Sequence, residues 1–147
     1  MEKRNIEGFE NAFPGKIFPE FRSLGDAEMQ SIRATIKRSL SLPETFDKLQ
    51  LVHAIAERTK FCEGYDANDE CFSLEKFLKE AGISVEAKVF INFRQFDEVD
   101  ELYFDDVERF FQYMWYPASD DIDIFDNTLS WIVSISHDGE VFLVRLI

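Results

Sequence analysis

The sequence predicts an α+β fold, a three- or four-stranded mainly antiparallel sheet with helices packed on one face. Two patterns carry this expectation. Apolar residues between positions 26 and 81 recur at helical spacing, whereas those from 121 onward alternate and close on an Asp-Gly turn. Size bounds the rest: 147 residues, 46% apolar and 31% charged, suit one globular domain rather than a disordered chain. Residues 1–147 are read as a single unit, with 1–23 as an N-terminal arm.

In the arm, Phe9, Phe13, Phe18 and Phe21 are interrupted by Pro14, Gly15 and Pro19. That punctuation argues against one long helix and predicts a short helix or irregular segment whose rings pack on the body. A helix follows over 26–40, capped by Asp26, with Met29, Ile32, Ile36 and Leu40 as its apolar stripe. Ser41 and Glu44 have capping-box spacing, so the next helix is expected to begin there and to carry Phe46, Leu49, Val52 and Ala56. Residues 61–72 read as a loop holding Cys62 and Cys71, expected to be free thiols because their spacing is no zinc pattern.

Ser73 to Ala81 reads as a short helix closed by Gly82. Ala87 to Phe93 is a strand rich in β-branched and aromatic residues. Asp105 and Glu108 have the spacing of a capped helix start, followed by Val107, Phe110, Phe111, Met114 and Trp115, with Pro117 ending the helix. Asp121–Phe125, Leu129–Ser136 and Val141–Leu146 are strands, the last two joined through His137-Asp138-Gly139-Glu140.

Charge is unevenly distributed. The chain has a net charge of -13, and residues 97–126 alone hold eleven acids against one base, Arg109. Concentrated negative charge steers a cationic partner and disfavours direct contact with nucleic acid or an anionic membrane. Glu108 and Asp105 are expected to serve the helix start, which leaves Asp97, Glu98, Asp100, Glu101, Asp120, Asp121 and Asp123 as candidate partner-binding residues. The partner these residues imply is a basic protein surface.

Catalytic motifs are lacking: there is no Gly-x-Ser-x-Gly, no phosphate-cradling Gly-rich loop, and the two histidines have no local partner pattern. No catalytic residue and no cofactor is assigned. The alternative is a small metal-dependent hydrolase using Asp121 and Asp123, although the alternation around Ile122 predicts that both carboxylates lie on the wet face of an edge strand. No apolar run reaches membrane-spanning length and Met1–Asn5 leads into no apolar signal core, so the chain is read as cytoplasmic. Oligomeric state is left open.

The segment Tyr116-Pro117, Asp121 to Asp126, Leu129-Ser130-Trp131 and Ser136 to Gly139 resembles the tail of small acidic bacterial proteins of unassigned function. Some of these are similar to immunity proteins of contact-dependent or polymorphic toxin systems. The resemblance covers about the last 30 residues. It implies a small, acidic, non-enzymatic protein that neutralises a toxin by binding it.

Overall fold

The structure is a computed structural model and describes residues 1–146. Its centre is one seven-stranded sheet, antiparallel at every pairing, with helices on both faces. The expected three or four strands with helices on one face are therefore corrected on both counts.

In chain order the elements are α1 (Lys3–Ala12), β1 (Phe21–Ser23), α2 (Asp26–Ser39), α3 (Lys48–Arg58), β2 (Lys60–Asp66), α4 (Leu74–Glu80) and β3 (Lys88–Arg94). Then come β4 (Glu98–Tyr103), α5 (Phe104–Arg109), α6 (Phe111–Met114), β5 (Ile122–Phe125), β6 (Trp131–Ile135) and β7 (Glu140–Arg145). Across the sheet the strands run β1-β4-β3-β5-β6-β7-β2.

The four strands legible in the sequence are β3, β5, β6 and β7. The three others break the usual strand pattern. β2 carries Gly64 at φ +89° and an irregular pairing with β7, so its residues read as loop. β4 has Asp100 buried between Val99 and Leu102, which reads as acidic surface. β1 has only three residues.

Helices cover both faces because the central strands are apolar on both. Val89, Ile91, Ile122, Ile124, Trp131, Val133 and Ile135 join the core beneath α1, α4, α5 and α6. Phe90, Phe125 and Ile132, from the same strands, join the core beneath α2 and α3. A fully buried aliphatic side chain contributes about 1.5–3 kcal/mol, so a strand apolar on both sides is stable only when covered twice.

Helix boundaries differ from expectation where capping chemistry does. Asp26 is not the cap of α2: Gly25 is, and Glu28 reaches back to its amide at 3.3 Å. Ser41 begins no helix; at φ +55° it lies past the end of α2, and α3 starts from Asp47 in a reciprocal cap with Gln50. The expected helix over 105–116 is broken at Phe110 into α5 and α6 and does not start on Asp105, since Tyr103 precedes its first turn. Glu108 supports another helix instead, accepting from Ser73 Oγ (2.6 Å) and Glu75 N (3.0 Å) at the start of α4. The arm is ordered: Phe9 is buried among the rings of Phe13, Phe18, Phe110 and Tyr113 at centroid distances of 4.9–5.8 Å.

Candidate functional site

Antiparallel register places one residue from each of four strands in a single row. Asn92 of β3 lies opposite Asp123 of β5, Asp123 opposite Ser134 of β6, and Ser134 opposite Phe142 of β7. All share the face covered by α3, because they alternate with Ile91, Ile122, Ile124, Val133 and Ile135, which point to the other side. Asn92 Nδ2 donates to Asp123 Oδ2 at 2.9 Å, and Ser134 Oγ donates to Oδ1 at 2.5 Å. The Asn92 amide is fixed in this orientation because its Oδ1 accepts the Phe96 backbone N–H at 2.9 Å.

That last bond holds an unusual turn. Gln95 and Phe96, the central residues between β3 and β4, both have positive φ, +34° and +59°, although neither is glycine. Such backbone costs on the order of 1–3 kcal/mol per residue and persists only where neighbours enforce it. Here Asn92 holds the Phe96 amide, Arg33 of α2 donates to its carbonyl at 2.6 Å, and the ring is fully buried.

Between this row and α3 lies a cavity of about 350 Å³. Val52, Ile55 and Ala56 of α3 wall one side, with Asn92, Asp123, Ser134 and Phe142 on the sheet side. Asp123 opens onto it, which leaves the residue partly accessible while protein encloses its carboxylate. Burial pushes its pKa above the ordinary carboxylate value; the bonds from Ser134 and Asn92 pull it back, and Asp121 pushes it further up. Among the described residues no cation forms an ion pair with it. Arg94 lies at the rim, but its guanidinium faces Glu98 and Glu2 at 3.6 and 3.7 Å. Asp123 is thus neither on a wet face nor on an edge, since β5 lies between β3 and β6.

The other acids of the run are dispersed and largely occupied. Asp97 pairs with Lys48 at 2.9 Å and Glu98 with Arg94. Asp100 is buried against the Met1 amino group and Ser23, and Glu101 faces Arg22 and Lys88, each at 3.4 Å. Asp120 is buried against Arg4 and accepts the Tyr116 amide at 2.8 Å. Asp126 accepts from Glu86 N, Thr128 N and Thr128 Oγ1. All these cations lie before residue 97, outside the run, which is why the run looks uncompensated in sequence.

Asp121 differs. It is exposed and accepts both His137 N (2.8 Å) and His137 Nδ1 (3.0 Å) in the β6–β7 turn. Exposed Asp138 and Glu140 flank the same histidine, Asp66 pairs across with Glu140, and Asn68 ties Asp66 Oδ1 to the Asp138 carbonyl. The bond from Asp121, then the charges of Asp121, Asp138 and Glu140, raise the His137 pKa above the ordinary imidazole value. Among the described residues, His137 is the only cationic group paired with these four acids. Asp138 and Glu140 stand within a few positions of Asp121 in the fold but lie beyond residue 126, outside the sequence run.

Among the described residues no group of three or more His, Cys, Asp or Glu side chains is placed to hold a metal ion, and Cys62 and Cys71 are free. No helix among them is long and apolar enough to cross a membrane. Compared with protein families, curated proteins and solved structures, the chain matches none.

Proposed function

We propose that this chain is a non-enzymatic binding protein whose partner is a basic protein surface, as in toxin neutralisation, and that it docks through the corner formed by Asp66, Asp121, Asp138 and Glu140. One observation carries the reading: these four carboxylates are exposed together around the β6–β7 turn, and among the described residues His137 is the only cationic group paired with them. Most of the other acids are already paired or spent on backbone amides, so the corner replaces the longer stretch of 97–126 as the contact surface. Exposed charge of one sign accelerates encounter with an opposite surface and loses that effect as salt screens it.

The test starts with capture of a partner from the native cell on the immobilised chain, followed by binding kinetics. The association rate should fall about tenfold between roughly 50 and 300 mM salt. The double variant Asp138→Asn/Glu140→Gln should slow association several-fold while leaving dissociation nearly unchanged. An association rate indifferent to both salt and these substitutions would sink the reading.

A further inference from the structure

Four carboxylates of this acidic region are enclosed by protein, and three have evident structural employment. Asp100 meets an amino group, Asp120 meets Arg4, and Asp126 receives two backbone amides and a hydroxyl. Asp123 has two neutral side-chain donors and a cavity. An enclosed carboxylate without a cation costs stability, so its retention calls for something that the folded chain alone does not supply.

The donors also define the state of the group. With Asn92 locked by the Phe96 amide, both Asp123 oxygens receive hydrogen bonds and each keeps a further acceptor site. The carboxylate is thereby built as an acceptor, and Asp121, which also lines the cavity, disfavours an anionic ligand. The apolar walls facing it are Val52, Ile55, Ala56 and Phe142, and about 350 Å³ lies within the range of small-molecule sites.

We infer that this cavity binds a small organic cation, a primary ammonium on an aromatic or alkyl body, with Asp123 as its counter-ion and Ser134 Oγ as a second polar contact. The body lies against α3 and Phe142, replacing cavity space with apolar contact, while the ammonium supplies the charge that Asp123 lacks. The site shares only Asp121 with the acidic corner and does not depend on the partner proposed for it.

The experiment titrates 2-phenylethylamine and n-hexylamine into the full chain, with 2-phenylethanol and 1-hexanol as neutral counterparts, following backbone amide signals by NMR. At least one amine should saturate with a dissociation constant below about 1 mM, shifting the Asn92, Asp123 and Ser134 amides, and its alcohol should bind about tenfold more weakly. Asp123→Asn should abolish the preference for amine over alcohol, and Ala56→Trp, at an exposed position of α3, should block both. The proposal is overturned if neither amine shifts these signals at about 10 mM, if the alcohols bind equally well, or if Asp123→Asn keeps the preference. Asp138→Asn/Glu140→Gln should leave amine affinity within about twofold, so failure of the docking corner and failure of the cavity read out separately.

Discussion

On the face covered by α1, α4, α5 and α6, the strands present aliphatic side chains, Phe93 and Trp131; of the buried polar side chains there, Asn5 is satisfied by the Tyr113 and Met114 carbonyls at 2.9 and 3.2 Å, and Asp100 by the Met1 amino group and Ser23. On the face covered by α2 and α3, the same strands present Phe90, Phe125 and Ile132 together with Asn92, Asp123 and Ser134. The first face is filled with rings in contact; the second retains a cavity beside a carboxylate. Burial of apolar area and pairing of polar groups account for the first face apart from Trp131 Nε1, an enclosed donor with no partner among the described residues. They do not account for a carboxylate without a cation on the second, where an aliphatic residue would pack better. The contrast separates residues that hold the fold together from residues kept for a ligand.

The largest test of that separation is a pair of core truncations read by urea denaturation. Phe9→Ala on the filled face should cost about 3–5 kcal/mol, because four aromatic neighbours lose a partner and leave a cavity. Ile55→Ala should cost nearer 2 kcal/mol, since its side chain already borders open space. Equal losses would mean that the second face is packed as tightly as the first.

A smaller effect, with opposite signs, sharpens the comparison among the enclosed carboxylates. Asp126→Ala strands two backbone amides and should destabilise by about 1–3 kcal/mol. Asp123→Asn should instead stabilise, by roughly 1 kcal/mol at neutral pH, as relief of an enclosed charge does. The sign follows from linkage. The folded-state pKa of Asp123 lies above its unfolded value, so stability is lost as pH rises through the raised value. The gain from Asp123→Asn should therefore be full once pH exceeds the raised folded-state value and vanish below about pH 4, in thermal melts across that range. A destabilised Asp123→Asn would place Asp123 among the structural residues.

The smallest effect is at the rim. The His137 pKa is raised in the folded state, so its contribution is fully present below about pH 6.5 and disappears as pH climbs through the folded-state value. His137→Gln should lower the melting temperature slightly near pH 6 and not at all near pH 8.5. A loss that persists at the higher pH would mean that packing or the Asp121 hydrogen bond, rather than charge, holds the turn.

Much of the secondary structure was legible because it rests on local chemistry. The α2 stripe Met29-Ile32-Ile36, the Ser73 cap of α4 and the Asp138-Gly139 turn need only neighbours in sequence to form. β4 was hidden because Asp100 breaks its apolar alternation, and the cation that makes its burial tolerable, the Met1 amino group, is 99 positions away. The helix start at Asp105 was misread for the converse reason: Glu108 had a suitable local partner but is engaged by Ser73, 35 positions earlier.

The candidate site left a trace of the same kind. Ile91-Asn92-Phe93, Ile122-Asp123-Ile124 and Val133-Ser134-Ile135 are three lone polar residues, each flanked by apolar ones in a strand. By itself, then, the amino-acid order determined which segments alternate, which residues cap and where acids are concentrated, since these depend on contacts a few residues apart. Tertiary structure alone decided that the three polar residues stand in one row, that distant cations meet Asp97, Asp100, Glu101 and Asp120 of the acidic run, and that Asp123 faces a cavity. Pairing register and charge compensation depend on residues tens of positions apart, and no local pattern encodes which of them meet.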